Sequence, residues 1–118
     1  MRQRLPGTTP ASGEHWYGLQ PFAVAAGHGL VDILQPDLAW CGGISAGVRI
    51  CHLAEAHGLS VVANAGMNYR WGQHLSLAMP AVQLGERSEG VSTPCIPLEE
   101  MTILPGDRRS RAWRTSDA

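Results

Sequence analysis

The chain has 118 residues, the length of one domain, with 44% hydrophobic and 16% charged side chains. Nine basic residues, every one an arginine, stand against ten acidic ones for a formal net charge of -1, which argues against a nucleic-acid partner. This hydrophobicity excludes a disordered chain, no apolar run approaches the ~18 residues of a membrane span, and the N-terminus lacks a signal peptide's apolar centre, so a cytoplasmic protein is expected.

An extended stretch over residues 8–14 leads into a turn-rich patch, His15-Trp16-Tyr17-Gly18. A short helix is predicted for residues 19–26, stopped by Gly27 and Gly29. The apolar run at 30–37 reads as a strand closing at Pro36, which cannot donate to a central ladder. Gly42-Gly43 then turns the chain into the clearest helix, residues 44–57. There Ile44, Val48, Cys51 and Ala54 share an apolar face widened by Ile50 and Leu53, with Ser45, Arg49 and His52 on the polar side. Residues 59–64 read as a buried strand, 65–68 as a loop, and 71–79 as a short helix stopped by Pro80. A fourth, weaker strand is expected at 81–86. The Pro-rich segment beyond Gly90, with Arg108, Arg109, Arg111 and Arg114 near its end, is expected to be an irregular, solvated tail.

Cys41, Cys51 and Cys95 make an odd count in a composition unlike a disulfide scaffold, and read as free thiols in a reducing compartment. A zinc site from Cys41, Cys51, His52 and His57 is rejected, because neighbours on a helix project about 100° apart.

Alternating strands and helices at this spacing imply βα units and a parallel sheet, whose C-terminal strand ends share one side. Each predicted strand ends in a carboxylate or carboxamide: Glu14, Asp37, Asn64 and Glu86, separated by 23, 27 and 22 residues. Four polar groups would therefore converge on one mouth. Trp40 and Trp71, following two of the strands, would either wall a pocket there or shield the top of the core. Asp32, five residues before Asp37, falls on the opposite strand face.

Gly13-Glu14-His15, the run Val31-Asp32-Ile33-Leu34-Gln35-Pro36-Asp37 with Gly42-Gly43, and Leu53-Ala54-Glu55-Ala56-His57-Gly58 resemble the enolase superfamily. Within it they resemble the mandelate racemase/muconate lactonizing subgroup and its acid-sugar dehydratases. Residues 35–43 are especially close to the rhamnonate type. The resemblance implies an α/β fold, a partial TIM-type (β/α) barrel. Residues 1–90 would supply the last four strands with their helices, and 91–118 the tail.

It also implies magnesium as cofactor and a sugar acid as substrate. Glu14 falls at a metal-ligating carboxylate of the subgroup and Asp37 at the aspartate of an Asp–His dyad. Glu86 falls at the last-strand carboxylate that hydrogen-bonds the enediolate. His15 either contacts the sugar acid or packs beside Trp16. Position 64, where the dyad's histidine belongs, holds Asn64, whose carboxamide has no accessible titration and cannot be a general base. The earlier metal carboxylates and the Lys-bearing strand of the pattern have no counterpart here. The expected function is therefore the C-terminal part of a magnesium-dependent acid-sugar dehydratase, inactive alone, which closes its open sheet edges as a homo-oligomer or with a complementary N-terminal half. The alternative is a non-catalytic half-barrel remnant serving as a binding or assembly module. A stand-alone anion-binding domain would rest on Gly42-Gly43 alone, which lacks a phosphate-loop fingerprint.

Overall fold

A computed structural model of the chain describes residues 6–87; the tail expected over 91–118, with Cys95, lies outside the described residues. Three parallel strands pair in chain order: β1 (Ala11–Ser12), β2 (Ile33–Leu34) and β3 (Ser60–Val61). Ala11 stands opposite Ile33 and Ser12 opposite Leu34, while Ile33 pairs with Ser60 and Leu34 with Val61 on the other side. Backbone bonds extend the pairing beyond these short strands. Gln35 N–H donates to the Ser12 carbonyl at 2.9 Å, Val62 N–H to Leu34 at 3.0 Å, and Asn64 N–H to Pro36 at 2.8 Å. Pro36, buried in this central strand, takes part through its carbonyl, the one ladder bond open to a proline. That bond carries residue 64 to the end of β2, next to Asp37.

The fourth strand is not formed as a strand. Residues 81–86 contribute one parallel bridge, Val61 with Val82, supported by Val61 N–H donating to the Ala81 carbonyl at 2.8 Å. The chain then leaves the ladder because the loop after β3 holds it. Met67 N–H donates to the Glu86 carbonyl at 2.8 Å, and Gly85 lies so close to Met67 that a Cβ would sit 2.5 Å from its Cγ.

Helix α1 (Gln20–Gly27) starts with a proline in its first turn and buries Phe22, Ala25 and Ala26, spaced as one helical face. Trp16 meets Phe22 edge-on at 5.1 Å. Between β2 and the double glycine the structure has a helix the sequence reading lacks, α2 (Leu38–Cys41). Its four residues are too few to nucleate alone, so its ends decide it. Asp37 caps one end, and at the other Gly42 adopts a left-handed φ of 115°, open to glycine at little cost.

Helix α3 (Gly43–Ala56) follows, and its apolar face is displaced from the expected one. Ile50, Cys51 and Ala54 are buried as predicted, but Ile44 is 40% exposed and Gly47 takes its place inside. Leu38 of α2 presses there: a Cβ on Gly47 would lie 2.7 Å from Leu38 Cδ2. After β3, a single 3-10 turn (Gly66–Asn68) leads into α4 (Arg70–Ala78), which buries Gly72 and Leu75. The core, centred on Phe22, Leu34, Ile50, Cys51 and Val61, lies between the sheet and the helices. Among the described residues no helix is long and apolar enough to cross a membrane.

Candidate functional site

Asp37 ends the central strand and divides its carboxylate between two tasks. Oδ1 accepts from the N–H groups of Ala39 at 2.7 Å and Trp40 at 3.3 Å, capping α2, while Oδ2 faces the Asn64 carboxamide, whose Nδ2 lies 3.5 Å away. An N-cap fixes a carboxylate with little rotational freedom, so the second oxygen is aimed before any ligand arrives.

Glu86 joins the cluster through the loop after β3. Its Oε1 accepts from Ala65 N–H at 3.2 Å, and its Oε2 accepts from the Gln35 side-chain amide. Ala65 has φ 48° and ψ 22°, left-handed values that cost a residue with a Cβ about 1–2 kcal/mol. The Glu86 carboxylate bonds the strained residue directly and ties the β3 loop back to β2. Asp37, Asn64 and Glu86 therefore belong to one connected arrangement beyond the ends of β2 and β3.

Glu14 and His15 follow β1 on the exposed side. His15 Nε2 lies 3.8 Å from Glu14 Oε1, with both side chains more than half exposed. His15 faces Trp40, its ring centroid 4.9 Å from the indole. Tyr17 meets the same indole at 5.1 Å. A cavity of about 340 Å³ opens beside Asp37 and Asn64, walled by Trp40, Tyr69 and Trp71 and floored by Gly66 and Gly72. Tyr69 and Trp71 stack with ring planes 7° apart. Both tryptophans thus wall a pocket.

Magnesium favours about six oxygen ligands in octahedral geometry. Glu14 offers one exposed carboxylate, and among the described residues no group of three or more His, Cys, Asp or Glu side chains is placed to hold a metal ion. These residues do not by themselves fit a magnesium site.

The sequence reading missed Gln35, Ala65 and Tyr69. Gln35 carries a usable signal, because residues two apart on a strand share a face and Asp37 belongs to the mouth. Ala65 carried none: nothing in its type marks a left-handed residue.

The two described cysteines are free and buried. Burial, and then the Asp37 charge, push the Cys41 thiol up. Burial, with Glu55 and Cys41 nearby, pushes the Cys51 thiol up to about 11 from 9.0. Neither is a nucleophile at neutral pH. In a Cys95→Ser background, no thiol is expected to react with a disulfide reagent at pH 8 until the chain is unfolded. Between pH 9 and 11 the unfolded chain releases the Cys51 proton while the folded one keeps it. Stability is then full below pH 9 and falls with rising pH, by at most about 1.4 kcal/mol per pH unit. Urea midpoints across that range, compared with those of Cys51→Ala, isolate the effect.

Residues 2–109 match the family described as enolase C-terminal domain-like. The chain is 39% identical over 72 residues to an L-rhamnonate dehydratase of Saccharopolyspora erythraea, a match covering 60% of this chain and 18% of that protein. It is 41% identical over 68 residues to a D-galactarolactone cycloisomerase of Agrobacterium fabrum, covering 58% of this chain and 17% of the relative. Two crystal structures of the rhamnonate dehydratase from Gibberella zeae, one complexed with Mg, superpose with TM-scores of 0.67 and 0.66 at 27% identity, each over 72% of this chain and about a fifth of theirs. The chain thus spans about a fifth of the length of these relatives. Its parallel βα order, strand-end cluster and matched sequence agree: the chain belongs to the enolase C-terminal domain-like family, in the mandelate racemase/muconate lactonizing branch of the enolase superfamily.

Proposed function

We propose that this chain supplies the later strand ends of an acid-sugar dehydratase site, where a proton next to a carboxylate is removed and water is lost. The observation that carries this reading is the meeting of Asp37 and Asn64 at 3.5 Å, with Glu86 bonded to the next residue along, Ala65. Asp37 presents a fixed acceptor to whatever occupies position 64. Glu86 holds the Asn64–Ala65 backbone in place and keeps acceptor capacity for a substrate hydroxyl, since a carboxylate has about four lone-pair sites. His15, exposed at the rim, takes a substrate hydroxyl or carboxylate. Glu14 is one candidate magnesium ligand, the others coming from the preceding barrel segment; no step is routed through the metal. The sheet edges are covered by a complementary barrel segment or by a second copy of the chain.

Asn64 itself favours a second reading. A carboxamide cannot abstract the proton, so the same constellation would bind a sugar acid without turning it over. The test is coexpression with the preceding barrel segment of the Saccharopolyspora erythraea L-rhamnonate dehydratase, followed by assay of an aldonate panel with and without magnesium. Slow, magnesium-dependent release of a 2-keto-3-deoxy acid is expected, with the Lys-bearing strand of the added segment as the base that Asn64 cannot be. Aldonate binding with no turnover would leave the binding module as the function.

A further inference from the structure

The Asn64 carboxamide is held beside Asp37 by the backbone on either side of it. On one side Asn64 N–H donates to the Pro36 carbonyl at 2.8 Å. On the other stands Ala65, the one residue besides glycine with a positive φ among the described residues. A left-handed residue with a Cβ persists only where its surroundings over-determine it. Glu86 restrains the turn at two points: its carbonyl accepts from Met67 N–H at 2.8 Å, and its Oε1 accepts from Ala65 N–H at 3.2 Å. A glutamate side chain has several rotatable bonds, which one hydrogen bond does not settle. The further fixed point is Gln35, whose Nε2 donates to Glu86 Oε2. Gln35 is itself anchored. Its N–H donates to the Ser12 carbonyl at 2.9 Å, buried Pro36 follows it, and a Cβ on neighbouring Gly13 would lie 3.1 Å from the Gln35 carbonyl. Its residue type matters as well. A carboxamide donates to a carboxylate and leaves its charge in place, whereas a cation at position 35 would form an ion pair and a second carboxylate would repel.

We propose that Gln35 is a positioning residue: by fixing the Glu86 carboxylate it sets the turn at Ala65, and through that turn the place of residue 64 beside Asp37. The inference rests on the reading of Asp37, Asn64 and Glu86 as one site, and it holds for turnover and for ligand binding alike. Gln35 acts through Glu86 and is not itself a reacting group.

The test uses NMR spectra of the whole chain, without metal or ligand. In the unaltered chain, cross-peaks should join the Gln35 side-chain amide protons to the Glu86 γ-methylene; their absence overturns the proposal whatever the variants do. Gln35→Met keeps length and bulk but cannot donate. It should speed hydrogen exchange at the Ala65 amide about tenfold and shift the Asn64 side-chain signals, with exchange at buried Ile50 in α3 unchanged. A side chain that only fills space would leave the Ala65 amide as it is, and that result overturns the proposal. Ala65 exchange that rises only in step with Ile50 marks a general loss of stability and overturns it too. The double variant Gln35→Glu with Glu86→Gln reverses the donor: the carboxamide now at position 86 accepts from Ala65 N–H and donates to position 35. Exchange at Ala65 should return to within about threefold of the unaltered chain, whereas Gln35→Glu alone stays fast because two carboxylates face each other. A reversal that restores nothing overturns the proposal. In the completed barrel, Gln35→Met should lower kcat about tenfold with KM within about threefold, and the double variant should stay slow because the charge has left position 86. Turnover undisturbed by Gln35→Met would sink this inference and leave the proposed function standing. No turnover in any completed barrel, with the cross-peaks and the reversal intact, would do the reverse.

Discussion

Gly72→Ala is expected to destabilise the chain by about 3 kcal/mol, the upper range for inserting a methyl where there is no room. A Cβ at position 72 would sit 2.1 Å from the Gly66 carbonyl oxygen and 2.8 Å from its carbon. The obstacle is backbone, so no rotamer change relieves it. Either α4 lifts from the 3-10 turn, or the turn moves and takes the strained Ala65 with it. A domain of this size is commonly stable by only ~5–15 kcal/mol, so the loss is a large share. Gly27→Ala is the control. Gly27 ends α1 and a Cβ there has no neighbour within 4 Å, so the alanine should gain about 0.4–1 kcal/mol by restricting the unfolded chain. Urea midpoints of the two variants should move in opposite directions. Equal midpoints would mean that α4 does not rest on the turn. The variant should also disturb the Trp71 indole, because Tyr69 and Trp71 wall the cavity whose floor Gly66 and Gly72 form.

Much of this arrangement is legible from residue type and spacing, for reasons that also explain what is not. Polar residues recurring at about one βα repeat follow the three formed strands, and the register puts Asn64 against the end of β2. Helix α3 is legible because its length and apolar period agree. Its exact face is not, since Leu38, from a helix the sequence does not announce, fills the space beside Gly47 and leaves Ile44 outside. Helix α2 depends on an Asp cap and a left-handed Gly42 rather than on any periodicity. The fourth strand misleads for a related reason. Residues 81–86 carry a strand-like pattern, yet Met67 and Ala65 bond Glu86 and draw the chain off the ladder. Local pattern identifies an element when that element owes its stability to its own face. It fails where a side chain from a distant part of the sequence makes the decisive bond.

Asn64→His is the substitution with the largest expected effect on chemistry. The Asn64 carboxamide nitrogen lies 3.5 Å from Asp37 Oδ2, and Asp37 is held by its cap on α2. An imidazole at position 64 would therefore direct a ring N–H at an oxygen already fixed in place. The neighbouring carboxylate favours the protonated ring, so its pKa should rise above the ordinary ~6.5. The sign for stability follows. The pairing stabilises the fold fully below ~6.5, and that contribution is lost as pH rises through the raised value. Ring-proton NMR on the chain itself reads the titration directly, without a completed barrel. In the completed barrel, the deprotonated ring would be a base working near neutral pH, held in orientation by Asp37. A positioned general base contributes ~10²–10⁴-fold, and α-proton exchange of an aldonate in heavy water should rise by that order over the Asn64 chain. A raised pKa without faster exchange would mean that the dyad geometry survives while another part of the site has been lost, which favours the binding reading. An unshifted pKa would mean that Asp37 serves α2 alone.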